Sequence, residues 1–183
     1  MKRILLVLPL LLAACAGGPS YRDTTVPLAT AMQVDLNRYQ GLWYEIARFP
    51  VSFEEGCVGV TAEYTLNPNG TVKVVNTCRE GTLSAPPRSS EAIAETVDSS
   101  NSRLKVDFVP LIPFTSGDYW ILDIDEDYRT VVVGTPNGTA GWVLAREPQI
   151  SDVRLQRGYD VLQRAGYDLS LITLTPQNPA ATY

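Results

Sequence analysis

The sequence predicts an all-β protein, an eight-stranded antiparallel up-and-down β-barrel with one C-terminal α-helix packed on the outside. Three observations predict it. From Gly41 onward, short period-two or β-branched stretches recur at nearly even spacing. The residues between them are turn formers, among them Asn67-Pro68-Asn69-Gly70, Asp125-Glu126-Asp127 and Asn137-Gly138. One amphipathic helical stretch follows Pro148, and the outside of a barrel is the large surface that can take its apolar side. Eight strands close a barrel just wide enough to hold one small ligand.

At the N-terminus, Lys2-Arg3 precede an apolar run of 11 residues from Ile4 to Ala14. A membrane-spanning helix needs ~20 such residues, so residues 1–14 read as a signal peptide. The run closes on Leu12-Ala13-Ala14-Cys15, which resembles the lipobox of bacterial lipoproteins. That resemblance implies cleavage before Cys15 and attachment of a diacylglycerol and an N-acyl chain to it; several chains anchor far more firmly than one. Ala16 stands where an Asp would signal inner-membrane retention, so the expected location is the periplasmic face of the bacterial outer membrane. Residues 16–33 hold two prolines and no sustained period. Residues 15–33 are therefore expected to be the lipidated cysteine and a tether, with a coil-like reach of roughly 25 Å. Loss of Lys2 and Arg3 takes the net charge from −5 to −7, so membrane contact should depend on the anchor and not on attraction to anionic lipid.

Strands are expected near 43–48, 58–66, 71–77, 92–97, 103–109, 119–123, 130–134 and 142–146. In the second, Val60, Ala62, Tyr64 and Leu66 alternate with Thr61, Glu63 and Thr65, so the even-numbered set should face the interior. The turn at 67–70 then sets Cys78, Asn76, Val74 and Val72 opposite them. In the sixth strand either Tyr119 and Ile121 or Trp120 and Leu122 point inward, and periodicity does not decide which. The proline-bearing stretches 85–87 and 110–113 read as irregular connections. Ser151 can cap a helix to about Ala165, with Gly166 as its stop and Leu155, Tyr159 and Leu162 as its apolar stripe. Gly158 inside that helix suggests close approach to the sheet. A short last strand over 171–174 precedes the tail, giving a barrel domain over 34–176 and a tail over 177–183.

Beyond Cys15, Cys57 and Cys78 form an even pair in an oxidising compartment, which suggests a disulfide; free buried thiols are the alternative. The hairpin register does not set the two opposite each other, so a bulge at Gly56 or Gly59, or a longer loop, is required. On the first and last barrel strands, period two groups Trp43 with Glu45 and Ala47, and Trp142 with Leu144 and Arg146. If both groups point inward, Arg146 can lie over the Trp43 ring at the closed end as a structural plug. An inward Glu45 must be hydrogen-bonded, paired or protonated, and is expected to be satisfied near the barrel floor, with a polar group of the ligand as the alternative partner.

Composition narrows the function. There is no histidine, which removes the commonest general base near neutral pH and the commonest transition-metal ligand. With 15 basic against 20 acidic residues and no basic run after Arg3, nucleic acid is a poor partner. No cofactor, metal or catalytic residue is expected, and the protein is not expected to be an enzyme.

The opening Gly41-Leu42-Trp43-Tyr44 resembles the Gly-x-Trp-Tyr motif of lipocalins, and Gly117-Asp118-Tyr119-Trp120, Asp127-Tyr128 and Trp142-Val143-Leu144-Ala145-Arg146 follow in that family's order. The resemblance covers about 34–176 and is similar to the bacterial, apolipoprotein D and plant temperature-induced branches; 110–120 is particularly like the plant group. It implies a calyx that binds, stores or transports a small hydrophobic ligand, of the fatty acid or lysophospholipid class, without covalent chemistry. Likeness to apolipoprotein D implies pocket roles for Tyr64, Asn76 and Trp142, and parity agrees independently for Tyr64 and Trp142. With Val60, Ala62, Val74, Tyr119 and Leu144 these form the expected ligand-binding set. An envelope-structural lipoprotein whose barrel is filled by side chains is the alternative, and a lipocalin-fold enzyme a further one. Dimerisation around the open end is left undecided.

Overall fold

A single antiparallel sheet rolls up on itself in a computed structural model that describes residues 19–108 and 116–178. Its strands are β1 Gly41–Arg48, β2 Cys57–Leu66, β3 Val72–Glu80, β4 Pro87–Thr96, β5 Arg103–Asp107, β6 Ser116–Ile124, β7 Thr130–Gly134, β8 Gly141–Ala145 and β9 Thr173–Leu174. Neighbours in sequence pair in order, and β1 pairs with both β8 and β2, which closes eight strands into the predicted up-and-down barrel. One-turn helix α1, Leu36–Tyr39, precedes β1, and α2, Asp152–Arg164, packs outside. Alternating direction puts the β2–β3, β4–β5 and β6–β7 turns at the end where α1 lies, the floor. The β1–β2, β3–β4 and β7–β8 connections lie at the opposite end, the mouth, where β5 also ends and β6 begins. Residues 1–14, expected as a signal peptide, Cys15, the stretch 110–113, expected as an irregular connection, and residues 179–183 lie outside the described residues.

The register follows the turn at 67–70: Ala62 pairs with Asn76, Tyr64 with Val74 and Leu66 with Val72. It slips between Val58 and Thr61, where Gly59 adopts a φ of +59°. This bulge is the device the cysteine spacing called for, and Cys57 and Cys78 are joined in a disulfide with Cα atoms 5.5 Å apart. A second slip lies in β1 between Glu45 and Ala47. It corrects the expected grouping of Ala47 with Trp43 and Glu45, because Ala47 packs with Ile46 and Phe49 in the outer layer. Strand β4 begins earlier than expected, at Pro87, since proline is tolerated as the first residue of a strand.

Two apolar layers flank the strands. Trp43, Tyr64, Val74, Ala92, Ile121 and Leu144 point into the barrel. Tyr44, Leu122, Val132 and Val143 point outward under Val161 and Leu162 of α2. The Ser151 side chain caps that helix by accepting from the Arg154 amide. At Gly158 an added Cβ would lie 3.1 Å from both γ-methyls of Val143, which explains the glycine by close approach.

Both chain ends complete the barrel. Residues 20–33, expected as part of a loose tether, are docked: the Tyr21 amide donates to Gly138 O at 2.7 Å and the Asp23 amide to Gly166 O at 2.8 Å. The buried Arg22 donates to Ala165 O at 2.9 Å, to Pro136 O at 2.8 Å and to Val26 O. A guanidinium at the C-terminal end of α2 satisfies the carbonyl of the cap residue Ala165, a tertiary contact that local period could not reveal. At the other terminus the strand expected over 171–174 is a 3-10 turn, Leu169–Leu171, followed by β9. β9 pairs with Ala47 and Arg48 beyond the point where β1 leaves β2. Gly59 N donates to Pro176 O at 2.8 Å, and Gln177 Nε2 to Glu45 O at 2.8 Å and Val60 O at 2.7 Å. Gln177, counted with the tail, thus belongs to the wall, where it satisfies backbone groups freed by the two bulges.

Candidate functional site: a chamber inside the barrel

The floor is built from Trp43 and Arg146, as their placement on β1 and just past β8 predicts. The Arg146 guanidinium lies 3.9 Å above the Trp43 ring. Its Nη atoms donate to Leu42 O at 2.8 Å, Arg38 O at 2.9 Å and Gln40 O at 2.8 Å, and its Nε to Tyr128 O at 3.2 Å. Trp43 Nε1 donates to Tyr39 O at 2.8 Å. One cation therefore ties α1, the start of β1 and the β6–β7 turn together. Above it, the Tyr119 hydroxyl lies 2.8 Å from that of Tyr39 and 2.9 Å from that of Tyr64. Burial pushes Tyr64 up to about 12 and the other two well above the ordinary tyrosine value, so the trio stays neutral.

Val60, Ala62, Tyr64, Val74, Asn76, Tyr119, Trp142 and Leu144 line one cavity of about 210 Å³ above this floor. The structure thus brings all eight residues of the expected set together. Tyr119 and Ile121 take the inward positions on β6, while Trp120 and Leu122 pack in the outer layer, which settles the open register. A second space of about 430 Å³, sharing Phe53, Glu54, Val60, Asn76 and Phe108, continues to Cys57, Cys78 and Arg88 at the mouth. Asn76 borders both, and no other described residue hydrogen-bonds its side-chain amide.

The polar cluster stands on the mouth side. Arg48 Nη1 donates to Glu45 Oε1 at 2.6 Å, and the Thr175 hydroxyl donates to the same oxygen. This corrects the expectation that Glu45 is satisfied at the floor: β1 runs from floor to mouth, and its partners come from the end of β1 and the C-terminal segment. Glu54 Oε2 lies 3.7 Å from Arg48 Nε and accepts from Trp142 Nε1 at 3.4 Å. Loss of water, and then the charge of Glu45, push the Glu54 carboxyl up to about 8 against the opposing pull of Arg48.

Sequence reasoning missed Tyr39, Phe53, Glu54 and Thr175. Tyr39 sits in a helix of one turn, too short for a period, although its cap, Asp35 accepting from the Asn37 amide, is a readable signal. Glu54 and Phe53 lie in the 3-10 turn Ser52–Glu54 of the β1–β2 connection, where nothing local marks them as facing the chamber, and Thr175 follows β9, where nothing local marks it as the partner of Glu45.

A family model described as a lipocalin-like domain matches residues 34–177. Temperature-induced lipocalin-1 of Arabidopsis thaliana is 37% identical over 160 residues, covering 79% of this chain and 80% of that protein. The outer membrane lipoprotein Blc of Escherichia coli K12 is 35% identical over 160 residues, covering 87% of this chain and 86% of its own. Among solved structures, insecticyanin from the tobacco hornworm Manduca sexta superposes with a TM-score of 0.67 over 89% of each chain; at 17% identity this is a likeness of fold.

Proposed function

This chain belongs to the lipocalin family, whose members bind small hydrophobic ligands, and from that premise we propose that its chamber holds the acyl chain of a fatty acid or lysophospholipid. The observation that carries this reading is the apolar chamber itself, walled by Val60, Ala62, Val74, Trp142 and Leu144 and floored by neutral hydroxyls. Burying apolar area contributes ~25 cal/mol per Å² before association costs, so such walls hold an acyl chain with few polar contacts. The chamber volume weighs against a barrel filled by side chains. Binding without catalysis is the reading we favour: the disulfide takes Cys57 and Cys78 out of use as nucleophiles, and Glu45 is engaged by Arg48 and Thr175.

Displacement of a fluorescent fatty acid from delipidated protein tests this directly. Saturable displacement by acyl ligands is expected, and its absence for every acyl ligand would overturn the reading. We further place the protein on the periplasmic face of the bacterial outer membrane, held by acyl chains on Cys15. The lipobox-like Leu12-Ala13-Ala14-Cys15 and the likeness to an outer membrane lipoprotein support this. Cys15→Ser should leave the protein in the soluble fraction, and a membrane-bound variant would contradict the anchor.

A further inference from the structure

We propose that the barrel is held mouth-down against the lipid surface that anchors it, so that ligand passes between bilayer and chamber without crossing water. The inference rests on lipidation of Cys15, proposed above, and on where the docked N-terminal segment starts. Tyr21 is fixed at the mouth: its amide donates to Gly138 O in the β7–β8 turn at 2.7 Å, its hydroxyl to Pro50 O at 2.6 Å, and its ring stacks on Phe49 at 5.3 Å. Arg22 bonds Pro136 O in the same turn at 2.8 Å, and the Ser20 hydroxyl stands against Gly138.

Five residue steps separate Ser20 from Cys15, and a fully extended chain spans at most about 17 Å over that length. β2 alone, with 10 residues, is about 33 Å long, so the floor cannot reach the anchored surface on so short a leash unless the barrel lies flat. The mouth can. Its rim presents apolar rings to what faces it: Phe53 is 60% and Phe108 40% exposed, with ring centroids 6.3 Å apart. Large exposed aromatics at the end nearest a bilayer suit its interface. The chain is acidic, so contact should come from leash and rim and change little with salt.

The test uses full-length lipidated protein in vesicles of phosphatidylethanolamine and phosphatidylglycerol, with a nitroxide on Phe53→Cys at the rim or Glu126→Cys at the floor. On vesicle binding, collisions with a water-soluble nickel chelate should fall severalfold at 53 and stay unchanged at 126. Inserting a flexible 20-residue Gly/Ser linker after Gly18 should restore collisions at 53 while the protein still sediments with vesicles. Equal exposure of both labels on sedimenting protein would overturn the orientation, and protection that survives the linker would overturn the leash. Failure of the unmodified chain to sediment at all would overturn the lipidation on which both depend. Protection of position 53 in soluble Cys15→Ser protein would assign the rim to a second copy of the chain and also contradict the proposal.

Discussion

Glu54 ties the chamber to pH, because its carboxyl is removed from water beside a second carboxylate and titrates near 8. It binds its proton more tightly in the folded chain than in the unfolded one. Its contribution to stability is therefore full below the ordinary carboxyl range and is lost as pH rises toward and through about 8. Melting curves from pH 5 to 9 should show wild type losing Tm relative to Glu54→Gln, and parallel curves would contradict the assignment. The same variant should keep its affinity for an acyl carboxylate above pH 8, where ionised Glu54 in the wild type repels it. Arg146 is the second residue with a distinct expectation. It spans five backbone carbonyls, those of Arg38, Tyr39, Gln40, Leu42 and Tyr128, and the Trp43 ring, so Arg146→Ala should cost about 2–4 kcal/mol, on the order of 5–15 °C in Tm. Unchanged melting would remove the plug. Trp43 and Arg146 were legible because period two on two strands and one cation–π geometry suffice to place them; Glu54 was not, because a loop residue's burial is set by the far strand that carries Trp142.

Strands were readable where a turn and an alternating face agreed, as across β2 and β3, whose register follows from Asn67-Pro68-Asn69-Gly70. Legibility failed where pairing is irregular or comes from distant chain. The slip in β1 that turns Ala47 outward leaves no mark in the alternation, and the partner of that half-strand, β9, lies more than a hundred residues away. The upper part of β4 is exposed from Pro87 to Glu91 and so shows no inside-outside pattern to read. Helix α2 was found from its cap and stripe, and its seat is tight enough to test. Gly158→Ala gains up to about 1 kcal/mol in helix propensity, offset by crowding against Val143, and should melt close to wild type. Gly158→Val overpacks the same contact and should cost about 1–3 kcal/mol by thermal unfolding. Equal stability of the two variants would mean that the helix does not press on the sheet there.

Taken whole, the molecule is a barrel whose inner side chains stop short of filling it, stapled at the mouth by a disulfide and sealed along the β1–β2 seam by its own C-terminal segment. The fold and the lining were foreseeable because inward parity is a local property of strands. The hollow was expected from the strand count and the family resemblance but could not be read from any one strand, since it depends on how eight inner faces meet across the barrel. Calorimetric titration of delipidated wild type and Ala62→Trp with one fatty acid isolates that hollow, because Ala62 lines the chamber and an indole there would occupy it. One saturable site is predicted for the wild type and none for Ala62→Trp, with melting of the two barrels alike. Equal binding by both proteins would contradict a ligand held inside.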